Sequence, residues 1–359
     1  MVSKIEFKTA GVVDAAELDA ALFNVELYGD DLSHLDWCKV PGRGTLRVGE
    51  LGVTLLAINK AHEFIFVFRG NCVEVILNNK VGLFPSFAML PAQIKAPVKG
   101  VLLDLDGTCV KSEAFWIAVI LETVNRMRGR LGMPPVGAFD RSELPHISGR
   151  TVPEHLLYCI QHYCPRAALG ELQDLYTDIA EEYMQKLNAG ELDIDAFEPA
   201  EGLKELLLTL KENDVKIGIV TSGLYYKAWP ELKQAMDKLG LGEPKEFFDA
   251  ILTSGTLAKK GGACGTMGNA IAKPWPNIYF EAAQVIGFTM DEREHYVGIG
   301  DSGSDVGSLR LMGTPFIGVA HGNIEQGGTK CMCTDFVGSL AVLNSILDTI
   351  LPDYDLCRC

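Results

Sequence analysis

Apolar and polar positions change rhythm near residue 95. From Gly44 to Pro85, short β-prone runs (Val53 to Ile58, Phe64 to Phe68, Cys72 to Leu77) are separated by Asn, Gly and charged residues, which predicts an antiparallel meander. Before it, Asp14 to Leu27 spaces its apolar residues as a helix does. Residues 1–95 therefore read as a small α+β domain with no catalytic constellation. Phe64, Phe66 and Phe68 alternate at strand period, which one buried face explains. Pro91, Ala92 and Pro97 form a short stiff connection to the remainder of the chain.

Beyond this connection, strand-like runs alternate with helical patterns: Val101 to Leu103, Ile217 to Val220, Ala250 to Leu252, Tyr296 to Ile299 and Pro315 to Val319. That alternation predicts a Rossmann-like α/β core, a parallel sheet with helices on both faces, over residues 96–111 and 198–359. The segment between the first two strands is too long for one crossover. Its amphipathic stretches, Ser112 to Arg128, Val152 to Tyr163 and Leu172 to Leu187, predict an inserted helical cap over 112–197.

Open α/β sheets bind ligands at the C-terminal edge of their strands. Three predicted strands end there in polar residues: Asp104 and Asp106, then Thr221 and Ser222, then Asp301 and Asp305. Lys273, ahead of the helical run Ile278 to Ile286, can point an ammonium into the same pocket. Phosphoryl transfer needs this combination: a nucleophile, a proton donor for the leaving oxygen, and cations for the phosphoryl oxygens. Asp104 is then the nucleophile and Asp106 the acid and base. Asp104 and Asp301 hold Mg²⁺, with the Asp106 carbonyl among its ligands and Asp305 in support. Thr221, Ser222 and Lys273 bind phosphate.

Composition narrows the partners. With 32 Lys plus Arg against 47 Asp plus Glu, the net charge of −15 disfavours nucleic acid; a small phosphorylated metabolite is the expected partner. No run approaches the length that spans a bilayer, and the N-terminus has no signal-peptide pattern, so a cytoplasmic protein without a membrane partner is expected. The ten cysteines are scattered rather than spaced as a framework, which favours reduced thiols. The ending Cys357-Arg358-Cys359 resembles a prenylation tail without accompanying signals, and reads as a frayed end. A homo-oligomer, or a partner bound through residues 1–95, stays open.

The motifs Asp104-Leu105-Asp106-Gly107-Thr108, Ile219-Val220-Thr221-Ser222-Gly223, Lys273-Pro274-Trp275-Pro276-Asn277-Ile278-Tyr279 and Gly300-Asp301-Ser302-Gly303-Ser304-Asp305 occur in that order. From about 99 to 350 the chain resembles the haloacid dehalogenase superfamily, and its cap resembles that of the small-molecule phosphatases and β-phosphoglucomutases. The resemblance implies a Mg²⁺-dependent phosphatase working through an aspartyl-phosphate, with sugar phosphates among its candidate substrates. The dehalogenating branch lacks the second Asp of the first motif, whereas Asp106 is present. Mutases carry a His early in the cap where Trp116 stands, which favours hydrolysis over phosphomutase activity.

Lys111 stands where relatives have Asp and reads as a substrate-facing cation or an exposed lysine. Arg150, after Ile147-Ser148-Gly149, stands in a segment that resembles a substrate-specificity loop and reads as a clamp on an anionic or hydroxylated leaving group or as a surface arginine. A Gly-rich stretch at 259–272 leaves Lys259 and Lys260 as rivals to Lys273. Gly298 to Gly303 satisfies G-x-G-x-x-G, but Asp301 inside that turn would oppose a pyrophosphate. None of the seven histidines falls in a motif; His155 reads as packed or solvated. A regulatory protein that recognises its ligand through residues 1–95 is the remaining alternative.

Overall fold

A computed structural model describes residues 4–78, 84–140, 143, 147, 152–192, 196–223, 225–253, 273 and 275–343. Arg150, Lys259, Lys260, the Gly-rich stretch and the Cys357 to Cys359 ending lie outside the described residues.

The first seven strands are β1 (Glu6–Val12), β2 (Leu32–Val40), β3 (Gly44–Arg47), β4 (Leu55–Asn59), β5 (Phe64–Arg69), β6 (Cys72–Leu77) and β7 (Ser86–Ala88). They form one antiparallel sheet in the order β1-β2-β4-β5-β6-β7, with β3 paired to β2. The three predicted strands are β4, β5 and β6. The predicted helix Asp14 to Leu27 is absent: a single 3-10 turn, Ala15–Glu17, stands there. Asp14 and Glu17 make a capping box, but Leu18 turns extended, at φ −90° and ψ 137°. Further on, the Asn24 amide donates to the Cys331 carbonyl at 2.7 Å. A distant acceptor thus takes a donor that a helix would have used internally. Leu18, Leu22 and Phe23 are nevertheless buried, so their spacing reported burial rather than helix.

Both faces of this sheet are covered. Ile65 and Val67 point into a cluster with Cys38, Leu56 and Ile76. Phe64, Phe66 and Phe68 point the other way, into a cluster shared with Ile278, Ala282, Val306 and Leu309. Asn59, fully buried, donates to the Gly327 carbonyl at 2.7 Å and accepts from the Glu63 and Phe64 amides at 2.8 Å. Asp31 accepts from the Cys331 amide at 2.7 Å.

A second sheet joins β8 (Gly100–Asp104), β11 (Lys216–Thr221), β12 (Ala250–Thr253), β13 (Tyr296–Gly300), β14 (Phe316–Val319) and β15 (Asp335–Val337). All its pairings are parallel, in the order β12-β11-β8-β13-β14-β15. β15 is a strand that the apolar pattern does not predict, because two of its three residues are only partly buried. Val101 and Leu103 face the cluster that continues into the cap, and Leu102 faces the opposite one. Helices Leu203–Glu212 and Tyr225–Leu239 cover the first face; Asn277–Val285 and Gly303–Arg310 cover the second, beneath the N-terminal sheet.

Between β8 and β11, helices Glu113–Arg130, Val152–His162 and Leu169–Asn188 form the cap. The chain enters and leaves it through an antiparallel ribbon of β9 (Val110–Lys111) and β10 (Glu198–Pro199). The cap core contains Phe115, Trp116, Leu156, Tyr176 and Phe197, and His155 is buried on its helix. Among the described residues no helix is long and apolar enough to cross a membrane, and seven cysteines are free thiols.

Candidate active site

β8 lies between β11 and β13, so its C-terminal end is the middle of the sheet edge. All five of its residues are buried, as a central strand covered on both faces requires. The chain then turns sharply: the Cys109 and Val110 amides both donate to the Leu105 carbonyl. Gly107 sits in this turn at φ +83°, a conformation in which a Cβ is strained. The turn separates two carboxylates that an uninterrupted strand would put on one face.

Asp104 joins Asp301 and Asp305. One carboxylate oxygen from each lies within 4.8 Å of the others, and all three residues are buried. Asp301 follows β13, and Asp305 lies in the first turn of the next helix, where it shares a capping box with Ser302. A Cβ on Gly107 would come within 2.3 Å of Asp301 Oδ2, and one on Gly322 within 2.5 Å of the same atom. The Asp301 carboxylate therefore fits only because both positions are glycine. Asn323 fixes the loop further: its amide donates to the Asp301 carbonyl, and its side-chain oxygen accepts from the Gly303 amide.

Lys273 is the cation of this cluster. Its ammonium pairs with both Asp104 and Asp305, and its amide donates to Ser222 Oγ at 3.1 Å. Thr108 donates to Asp104 Oδ2 at 3.1 Å, and Tyr279 donates to Asp305 Oδ1 at 3.0 Å. Burial, followed by the charge of Asp305, raises the Asp104 pKa against the pull of Lys273. Burial and the charges of Asp104 and Asp305 raise Asp301 well above the usual carboxylate range. Three buried carboxylates with one ammonium are short of positive charge. An all-oxygen donor set of this kind fits a hard divalent cation.

Asp106 sits in a different setting. Its Oδ1 accepts from Ser112 Oγ at 2.9 Å and from Lys227 Nζ at 2.8 Å, and its Oδ2 from Thr221 Oγ1 at 3.0 Å. Burial works against its charge, but the Lys227 ammonium and hydrogen bonds from Lys227, Glu231 and Ser112 outweigh it and hold the carboxyl well below its ordinary range. The Asp106 side chain is not among the three clustered carboxylates.

The structure thus brings together Asp104, Asp301, Asp305 and Lys273, with Asp106, Thr221 and Ser222 alongside. Lys111 is exposed on the entry ribbon, and no hydrogen bond or ion pair joins it to the cluster among the described residues. Trp116, which stands at the mutase histidine position, is buried and donates its indole N–H to Glu231 at 2.5 Å. Sequence reasoning did not single out Lys227, Glu231, Ser112 or Asn323. Lys227 and Glu231 are spaced i, i+4 on a helix that also carries Lys233 and Lys238, so charge and periodicity do not mark them.

Across residues 98–313 the chain matches the family model of haloacid dehalogenase-like hydrolases. The chain belongs to this family. Residues 1–97 of the hydrolase lie outside the match. No curated protein matches it. Among solved structures, it is similar to a predicted phosphoglycolate phosphatase from Haemophilus somnus 129PT. That likeness has 17% identity and a TM-score of 0.51, and covers 70% of this chain and 99% of that one. A hydrolase from Pseudomonas syringae is 19% identical with a TM-score of 0.50, covering 70% and 99%. β-Phosphoglucomutase from Clostridium difficile is 18% identical with a TM-score of 0.49, covering 72% and 99%. At such identities the likeness is one of fold.

Proposed function

We propose that this hydrolase is a phosphatase of small phosphomonoesters that works through an aspartyl-phosphate on Asp104. The observation that carries this reading is the pairing of two carboxylates from one strand end in opposite surroundings. Asp104 lies among the cation-seeking groups, and Asp106 lies among hydrogen-bond donors beside it.

Asp104 attacks phosphorus, forming its O–P bond while the bond to the leaving oxygen breaks and Asp106 gives that oxygen a proton. A water then attacks the phosphorus and passes a proton to Asp106, the Asp104 O–P bond breaks, and inorganic phosphate leaves. The donor set around Asp106 favours its ionised form, which suits it to the base step. For the acid step that set must loosen as substrate enters. Lys273 neutralises phosphoryl oxygens brought against Asp104, and Thr221 orients Asp106. Asp104, Asp301 and Asp305 would hold Mg²⁺. When bound, the ion supplies positive charge to the phosphoryl oxygens and screens them from the attacking carboxylate.

A phosphomutase is the second reading, and it is disfavoured because Trp116 spends its indole N–H on Glu231 within the cap core. The test is phosphate release from a panel of small phosphomonoesters, with Mg²⁺ and with chelator. Release that needs both the metal and Asp104 is expected. Isomerised sugar phosphate without free phosphate would replace hydrolysis by the mutase reading. No reaction with any ester would leave the phosphatase reading without support.

A further inference from the structure

Hydrolysis through Asp104 uses one lysine, Lys273, for the phosphoryl group and leaves a second cation at the site without a substrate. Lys227 lies beside Asp106, the group that faces the leaving oxygen. Its side chain keeps 18% of its exposure and that of Asp106 keeps 27%, so the pair borders open space. One of its three N–H groups is spent on Asp106 Oδ1 at 2.8 Å. Behind it, the Trp116 ring lies 4.9 Å from the ammonium. Glu231 Oε1 lies 3.9 Å away, beyond hydrogen-bond reach. Among the described residues the ammonium has no other hydrogen-bond partner, so a donor remains for the open side.

We propose that Lys227 is a specificity-determining residue that binds a second anionic group, a carboxylate or another phosphate, on the leaving part of the phosphomonoester. The proposal rests on the phosphatase reading. A counter-ion serving Asp106 and Glu231 alone would sit between them, hydrogen-bonded to both. Lys227 instead hydrogen-bonds Asp106 alone, with the Trp116 ring against its ammonium and part of its side chain exposed. Burial works against its charge, but Asp106 and Glu231 outweigh it and keep the lysine protonated. Adding one hydrogen-bond length to its separation from Asp106 places it within about 6 Å of a leaving oxygen on Asp106. That reach suits an anion two or three carbons from the ester. A charge-assisted hydrogen bond there corresponds to a preference of about ten- to a hundredfold.

The experiment compares matched esters that differ only by carboxylate against hydroxymethyl: 3-phosphoglycerate with glycerol 3-phosphate, and 6-phosphogluconate with sorbitol 6-phosphate. kcat/KM is measured with Mg²⁺ for wild type, Lys227→Met and Lys227→Arg. The expected result is that wild type prefers the carboxylated member of at least one pair by about tenfold or more. In Lys227→Met the ratio collapses towards one, and in Lys227→Arg it is largely retained. Any effect of Lys227 on Asp106 acts on both members and cancels in the ratio. A wild-type ratio near one in both pairs, or a preference that survives in Lys227→Met, overturns the proposal. If both esters of a pair slow equally with the preference intact, Lys227 only positions Asp106. Hydrolysis of none of the four, with phosphate released from other esters of the panel, overturns this proposal and leaves the phosphatase reading standing; release from no ester at all rejects both.

Discussion

Asp104 and Asp106 leave the same strand two residues apart, and their surroundings shift their pKa values in opposite directions. The Asp104 side holds three buried carboxylates and one ammonium, Lys273. The Asp106 side holds Asp106 with two hydroxyl donors and the Lys227 ammonium, and the buried Glu231 carboxyl, its own pKa raised by burial, hydrogen-bonds Asp106 as well. Burial raises pKa values on the first side, and donors lower the Asp106 value on the second despite burial. The difference teaches that a single turn at Gly107 suffices to separate a carboxylate short of positive charge from one satisfied by donors, each tuned by what it faces.

Removing each carboxylate in turn is the strongest way to break the comparison. Asp104→Asn is expected to lower kcat by about four orders of magnitude or more with the fold intact by circular dichroism. Asp106→Asn should cost about 10²–10⁴, and phosphate release under saturating substrate measures both. Near-wild-type turnover in Asp104→Asn would remove the nucleophile from the mechanism.

Lys273→Met strips the first side of its ammonium and should destabilise the cation-free protein by about 3–5 kcal/mol in denaturant unfolding. Mg²⁺ should restore part of that loss. An unchanged unfolding midpoint would mean that the carboxylates are compensated elsewhere.

Wild type should gain about 2.7 kcal/mol from Mg²⁺ at a hundred times its Kd, and Asp301→Asn should not. The raised pKa values of Asp104 and Asp301 mean that the cation-free site holds its protons to higher pH than ordinary carboxylates do. Those protons must leave as the ion binds, so affinity should fall as pH is lowered. Calorimetry in buffers of different ionisation enthalpy detects the released protons. Binding without proton release would contradict the shortage of positive charge on this side.

The smallest effect lies farthest from the chemistry. Asn59→Ala removes a buried donor to the Gly327 carbonyl and an acceptor for two amides, at a cost of about 1–3 kcal/mol. Gly327 closes the short helix that begins one residue after Asn323, and Asn323 holds the Asp301 loop. A weaker thermal response of Asn59→Ala to Mg²⁺ would show that the N-terminal sheet reaches the first side of the site. An unchanged response would confine Asn59 to structural support.

Much of the parallel core is legible in the sequence. Apart from β15 its strands are buried and read as continuous apolar runs, three of them ending in the Asp104, Thr221 and Asp301 motifs, and the cap helices read from their own periodicity. The region Asp14 to Leu27 misleads because a helix and a chain of turns can bury the same apolar spacing, and the Asn24 contact with Cys331 is not local. Lys227 and Glu231 escape notice for a similar reason. Their i, i+4 spacing is ordinary on a helix, and only its docking beside Asp106 gives them meaning.

By itself, the sequence determined the membership of the site on the Asp104 side: a strand end followed by Gly107, and the Asp301 and Asp305 carboxylates of the last motif. Local backbone rules suffice for that, because strand ends, tight turns and helix caps depend on neighbours in the chain. Tertiary structure alone decided which groups surround each carboxylate, where the N-terminal sheet docks, and that Trp116 turns to Glu231. Those outcomes depend on burial and Coulomb interactions between residues far apart in the chain, and both follow distance in space rather than distance in sequence.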